Sequence, residues 1–154
     1  MNHSRLFLLF AAAGLGVGHS QPASDNPPHG IIGKWSGPHG GGPTYAVRTL
    51  QTAEAWDAFW KQVEREKPRS LNLAREMAVA IVLGERRTGG FSVDIATARA
   101  EDGKLVIQYQ EKTPAPDMMV TQMLTAPWVV AVVPRSDLPV VAQKIAPTPQ
   151  PRRP

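Results

Sequence analysis

Two apolar stretches, MAVAIVL at residues 77–83 and WVVAVV at residues 128–133, decide the fold. Each runs without a polar residue, which is the pattern of a β-strand covered on both faces rather than one with a solvated side. The first stretch is followed by a glycine-containing loop, and the second is stopped by Pro134. The sequence therefore predicts two fully buried strands about 45 residues apart in the chain.

Between these stretches, apolar and polar residues alternate over residues 91–96 and again over 105–110. Alternation of this kind is typical of strands with one wet face. Glu101-Asp102-Gly103 separates the two segments and predicts a tight hairpin, because Asp-Gly tolerates the positive φ that such turns need. Prolines at 114 and 116 prevent residues 113–117 from continuing a central strand, and residues 120–124 are predicted to form a short one.

Upstream, short strands are predicted at residues 31–35 and 45–50, followed by one helix. Thr52 is its expected N-cap and Pro68 its expected end. The helix has one continuous apolar face with the spacing i, i+3, i+4 and i+7, made by Trp56, Phe59, Trp60 and Val63. The element order predicts an α+β fold, a mostly antiparallel β-sheet arranged as a small sandwich or roll, with this amphipathic helix packed on it.

The first twenty residues have the pattern of a signal peptide. Arg5 supplies a positive charge, residues 6–18 are apolar, and small residues precede an expected cut before Gln21. A cut after Ala13 or Ala23, an uncleaved anchor and a buried helix are the alternatives. The predicted organisation is a signal peptide at 1–20, a linker at 21–29, a β-rich domain at 30–146 and a Pro/Arg-rich disordered tail at 147–154.

The composition narrows the class of protein. The 154 residues carry a formal net charge of +4 and include no cysteine, so the leader has no residue for lipid attachment. We therefore expect a periplasmic or secreted protein without a stable membrane anchor after signal cleavage. Because no helix combines a basic stripe with interleaved aromatic residues, nucleic acid is not an expected partner.

The residues that carry chemistry do not form a recognisable catalytic set. His29 and His39 lie in glycine- and proline-rich loops, and with no cysteine to join them we expect neither a metal nor another cofactor. Residues 39–42 (HGGG) copy the oxyanion loop of some lipases, but no G-x-S-x-G elbow accompanies them. Asp94 and Glu111 could approach each other across neighbouring strands, although a solvated sheet face explains them more simply. The expectation is a protein that is not an enzyme.

Residues 77–134 resemble the C-terminal domain of the PrcB family, which is named for a subunit of a bacterial surface protease complex. Three motifs carry the resemblance: Thr88-Gly89-Gly90 before an aromatic residue, Glu111 with Thr113-Pro114, and Thr125-Ala126-Pro127 leading into the second apolar stretch. The resemblance implies a non-catalytic extracytoplasmic domain, associated in some members with protease assembly. It supplies no catalytic residues.

These observations lead to two functional hypotheses. The first is an exported protein-binding or assembly module, an accessory or chaperone-like subunit whose partner is an exported protease or another envelope protein. The alternative is a periplasmic carrier of a small apolar or carbohydrate ligand, with tryptophans lining its pocket. For the first, the expected contact surface is two loops, although both could merely turn the chain; its residues are Arg86, Arg87, Thr88, Gly89 and Gly90 in one loop and Thr125, Pro127 and Trp128 in the other.

Overall fold

The structure, a computed structural model, describes residues 30–147 as two β-sheets and one helix. A four-stranded antiparallel sheet has the order β1-β6-β3-β2, and a three-stranded sheet has the order β4-β5-β7, in which β5 and β7 are parallel. The elements are β1 (Gly33–Gly37), β2 (Tyr45–Leu50), α1 (Ala53–Gln62), β3 (Glu76–Leu83), β4 (Ser92–Glu101), β5 (Lys104–Lys112), β6 (Trp128–Pro134) and β7 (Val140–Lys144). The predicted α+β fold is confirmed.

The two apolar stretches are the inner strands β3 and β6 of the four-stranded sheet. One face of this sheet packs against the three-stranded sheet, and the other is covered by α1. Successive side chains of a strand point to opposite faces, so both faces of β3 and β6 must be apolar. In β3, Met77, Val79 and Ile81 lie in the core between the sheets, and Ala78, Ala80 and Val82 lie under the helix.

The helix begins as its sequence predicts and ends earlier. The Thr52 hydroxyl accepts a hydrogen bond from the Ala55 N–H at 3.1 Å, which confirms the N-cap. The last helical residue is Gln62, however, and the expectation that Pro68 ends the helix is wrong. Glu64 has φ +52°, and the N–H groups of Glu64 and Arg65 donate to the carbonyls of Lys61 and Trp60. This is a Schellman motif, which stops the helix before the proline is reached.

The three-stranded sheet is built on the predicted hairpin. Asp102 and Gly103 have φ of +49° and +72° and connect β4 to β5. A β-bulge at Ala96 interrupts the pairing between these strands. Val93 and Ile95 face the core before the bulge. The extra residue shifts the alternation by one position, so that Ala98 faces the core after it and both halves of β4 contribute to the core.

Two strand predictions need correction, and one strand was missed. Residues 120–124 are not a strand but part of a loop, because this run has no neighbouring strand to pair with. The first strand is displaced from 31–35 to Gly33–Gly37, where its residues pair with β6. β7 was not predicted; five residues beside β5 provide too short a pattern to separate a strand from a loop.

The predicted signal peptide (1–20), the linker (21–29) and all but Pro147 of the predicted tail lie outside the described residues. Within residues 30–147, no helix has the length and apolar character needed to cross a membrane.

Candidate functional site

Three loops meet at one end of the sandwich and form what we call the loop platform, residues 38–43, 84–90 and 113–127. Arg86 and Thr125 form an isolated antiparallel bridge, with N–H to carbonyl distances of 2.8 and 2.9 Å in the two directions. The Ala126 N–H donates to the Pro38 carbonyl and the Glu85 N–H donates to the Pro43 carbonyl. Each loop is thus held by the other two through backbone hydrogen bonds, which fixes the shape of the platform.

Arg86 is an internal clamp of this platform. Its guanidinium donates to the Leu83 carbonyl at 2.9 Å and to the Glu111 carboxylate at 3.0 Å. The guanidinium carbon also lies 5.6 Å from the centre of the Phe91 ring, within the range of a cation–π contact. Arg86 therefore joins the end of β3 to the end of β5.

Glu111 is the anionic centre of the platform. It lies opposite Val93 in the β4–β5 pairing, so its side chain points to the same face as that core residue, at the edge of the space between the sheets. Lys144 donates to its second oxygen at 2.7 Å. Burial alone would raise the pKa of the Glu111 carboxyl, but the hydrogen bonds from Lys144 and Arg86 outweigh it and hold this pKa below its ordinary value.

Glycine is required where these loops touch. Gly90 has φ +86°, and a Cβ there would lie 2.8 Å from Cβ of Pro114 and 2.9 Å from a methyl group of Val120. Gly89 donates its N–H to the Thr121 carbonyl at 2.9 Å, and a Cβ at this position would collide with the Thr121 hydroxyl. The Thr-Gly-Gly motif thus allows the 84–90 loop to lie directly against the 113–127 loop.

The second predicted contact loop is buried. The Thr125 hydroxyl donates to the Thr88 carbonyl at 2.8 Å, and the Pro127 carbonyl accepts the Leu83 N–H at 2.9 Å. The Trp128 indole N–H donates to the His39 carbonyl at 2.6 Å. These three residues, all less than a tenth exposed, hold the platform from within and are not available as an open contact surface.

The structure therefore brings the two predicted loops together but divides their roles. Arg87 and Gly90 are exposed, Arg86 and Thr88 are half-buried, and Gly89 is buried with the three residues of the second loop. A contact role stays a prediction for the exposed part of the set, and the buried part explains why the three motifs occur together in the sequence.

The most exposed apolar side chains of the platform were not predicted. They lie in the Met-rich segment, residues 118–124, which is the outer part of the 113–127 loop. Their exposed fractions are 47% for Met118, 99% for Met119, 57% for Met123 and 61% for Leu124. The available signal was a group of large apolar residues close behind two prolines, of which only residues 120–124 were interpreted, as a short strand. An exposed apolar group of this kind on an ordered loop is typical of an interaction surface.

The structure shows what the other residue groups considered from the sequence contact. Asp94 pairs with Lys34 at 2.6 Å, whereas Glu111 pairs with Arg86 and Lys144, so these two carboxylates belong to separate ion pairs. In the HGGG segment, the Gly41 N–H donates to the Ala126 carbonyl and is not directed at open space. Across residues 30–147, no three His, Cys, Asp or Glu side chains are grouped to hold a metal ion; His29 lies outside this range.

The tryptophans pack mainly on one another. Trp56 and Trp60 have ring centres 5.3 Å apart, and Trp60 and Trp128 5.8 Å apart, both edge to face. These rings lie between α1 and the four-stranded sheet, with Trp35 half-buried beside them. At the platform, Trp128 also borders an open groove of about 180 Å³ between Pro38 and Phe91, which is smaller than the pockets that hold drug-sized ligands.

The fold and the site define a small α+β domain, a two-sheet sandwich covered by one helix. At one end of the sandwich, the loops are joined by backbone hydrogen bonds and by the Glu111 carboxylate, which binds both Arg86 and Lys144. Residues 77–134 match the family model described as PrcB C-terminal, which confirms the resemblance. The match runs from β3 to β6 and contains the 84–90 and 113–127 loops of the platform. No curated protein and no solved structure gives a significant match.

Proposed function

We propose that this chain is an exported, non-catalytic protein-binding module that acts as an accessory or assembly subunit of an extracytoplasmic protease. The observation that carries the proposal is the Met-rich segment, four large apolar side chains held in solvent by a locked platform. The link to a protease comes from the family that residues 77–134 match.

The segment has the properties of a contact surface. Methionine side chains are flexible and polarisable, so they adapt to the shape of a partner. The backbone beneath them is already ordered, since Thr121 accepts a hydrogen bond from Gly89 and Val120 lies against Gly90. A partner would therefore bind without first ordering the loop, which lowers the entropic cost of association.

The charged side chains at the platform support a binding role over a catalytic one. Arg86 and Glu111 neutralise each other, and Lys144 takes the remaining carboxylate oxygen. Arg87, next to this network, is exposed and makes no hydrogen bond with another described residue. Arg87 is therefore a cation of the platform that could pair with an acidic group on a partner.

The test is capture from the protein's own cell envelope, followed by mass spectrometry. A variant with Met118→Ser, Met119→Ser, Met123→Ser and Leu124→Ser should lose a partner that the unchanged protein retains. A matched control, Ile32→Ser with Val141→Ser, removes exposed apolar side chains at the opposite end of the sandwich and should retain it. Equal capture by all three proteins would contradict the proposal, and a captured partner without protease activity or association would contradict its protease part.

The proposed location has a separate test. Periplasmic or secreted residence requires that the leader be cleaved, so N-terminal sequencing of the mature protein should begin near Gln21. Recovery of the uncut chain in the cytoplasmic fraction would contradict export.

The groove beside Trp128 points to a second candidate, the carrier of a ligand smaller than a drug-sized molecule. Binding there would change the environment of the Trp128 indole, which lies at the groove. Titration with small apolar compounds and sugars should then change tryptophan fluorescence, and Trp128→Phe should reduce that change. A signal that stays constant in every titration would remove this candidate.

A further inference from the structure

We infer that Met118, Met119 and Met123 form a reversible oxidation site, and that conversion of their thioethers to sulfoxides releases the partner. The release rests on the proposed function, whereas the oxidation site rests on the structure of the loop alone.

The distribution of sulfur in the chain is the first argument. The chain has five methionines and no cysteine, so thioethers are the only sulfur groups that an oxidant meets. Three of the five fall within residues 118–123, Met77 is fully buried in the core between the sheets, and Met1 lies outside the described residues. The sulfur atoms accessible on the folded domain are thus concentrated at one surface.

The reaction needs only a two-electron oxygen donor of the peroxide class. The thioether sulfur attacks one peroxide oxygen, the O–O bond breaks as the S–O bond forms, and the second oxygen leaves as water after taking up the proton of the first. Sulfur is oxidised by two electrons and the peroxide is reduced by two. Methionine sulfoxide reductases reverse the change, so the modification can act as a switch.

The consequence for the surface follows from polarity. Each sulfoxide replaces an apolar, adaptable group by a strongly polar one, which disfavours burial against an apolar partner. None of the three loop methionines belongs to either hydrophobic core of the fold. Oxidation should therefore change the contact surface while the domain stays folded.

The site is tested by treating the native mature protein with hydrogen peroxide and digesting it with trypsin. Residues 113–135 form one peptide with all three loop methionines, and residues 76–86 form another with Met77. Per methionine, the first peptide should gain oxygen at least about tenfold faster than the second, and this difference per methionine should vanish in denaturant. Equal rates in the native protein would overturn the oxidation site.

The switch is tested by capture before oxidation, after oxidation and after repair by reductase. Capture should be lost and then restored, with an unchanged Tm throughout. The triple variant Met118→Leu, Met119→Leu, Met123→Leu keeps the surface apolar and should capture the partner before and after peroxide. If the oxidised unchanged protein still captures the partner that the serine variant loses, the switch fails and the proposed function stands. If neither oxidation nor the serine substitutions alter capture, both fail.

Discussion

Arg86 and Glu111 close one end of the β-sandwich, with Nη2 of the arginine 3.0 Å from Oε1 of the glutamate. The arginine follows a strand of the four-stranded sheet, and the glutamate lies near the end of a strand of the other sheet. The pair therefore connects the two layers at the point where the platform begins. Its neighbour Arg87 is exposed, which provides a matched comparison one residue away.

Arg86→Gln should destabilise the domain by about 1–3 kcal/mol, because Oε1 of the half-buried Glu111 and the Leu83 carbonyl each lose the donor that Arg86 supplies. Arg87→Gln should change the free energy of unfolding by less than about 0.5 kcal/mol. Urea unfolding of the two variants beside the unchanged protein measures both values. Equal stability of the two variants would show that the Arg86 clamp contributes little.

Stability should fall in acid because of two carboxyl groups. Hydrogen bonds from Arg69 and from the Asn72 N–H lower the pKa of Glu76; for Glu111, burial raises the pKa but the hydrogen bonds from Lys144 and Arg86 lower it further. A carboxyl whose folded pKa is depressed binds fewer protons in the folded state. Its stabilisation is thus present above the ordinary pKa of 4.5 and is lost as pH falls through the folded pKa.

Unfolding measured between about pH 7 and pH 3 checks this dependence. Glu76→Gln with Glu111→Gln should lower stability at neutral pH and flatten the loss in acid. Glu101→Gln is the control, since its ion pair with Arg99 is solvent-exposed and contributes little. A double variant with the acid dependence of the unchanged protein would contradict the assignment to these two groups.

Substitution of the three buried tryptophans by phenylalanine should lower the free energy of unfolding by different amounts. The indole N–H of Trp56 donates to the Arg69 carbonyl at 2.8 Å and that of Trp128 to the His39 carbonyl at 2.6 Å. The indole N–H of Trp60 is buried and has no acceptor among the described residues. Trp56→Phe and Trp128→Phe should each cost about 0.5–1.5 kcal/mol more than Trp60→Phe, because only they break a hydrogen bond.

Chemical unfolding followed by circular dichroism compares the three variants without relying on the tryptophan signal itself. The loss of apolar area is similar at each site, so the difference between variants isolates the hydrogen bond. A Trp60→Phe variant as unstable as the other two would show that its N–H has an acceptor.

The central layers of the fold could be predicted from sequence because a buried strand or helix has a characteristic spacing of apolar residues. β3 and β6 carry apolar residues on both faces, and the helix carries them on one, so the two patterns differ. The remaining strands depend on pairing with segments that are distant in the sequence. Residues 120–124 have an apolar composition, but no strand lies beside them, and β7 is defined by its pairing with β5 rather than by its own sequence.

The candidate site could be predicted only in part, for a related reason. The motifs indicated that residues 86–90 and 125–128 belong to one feature, and the Arg86–Thr125 bridge brings them together. Loop residues have no periodicity, however, so the sequence does not tell which side chains face solvent. Thr125 and Trp128, which were predicted as contact residues, are internal, whereas Met119, which was in no predicted element, is almost fully exposed.

The end of the helix offers a stabilising substitution. Glu64 holds φ +52° at the position where a Schellman motif favours glycine, and a residue with a Cβ is strained there by about 1–2 kcal/mol. Glu64→Gly should therefore raise the free energy of unfolding by about 1 kcal/mol after the entropic cost of glycine, and Tm by roughly 4 °C. Glu66→Gly, two residues later and without positive φ, should stabilise nothing. Thermal unfolding separates the two, and a lower Tm for Glu64→Gly would mean that the glutamate side chain contributes more than its backbone strain removes.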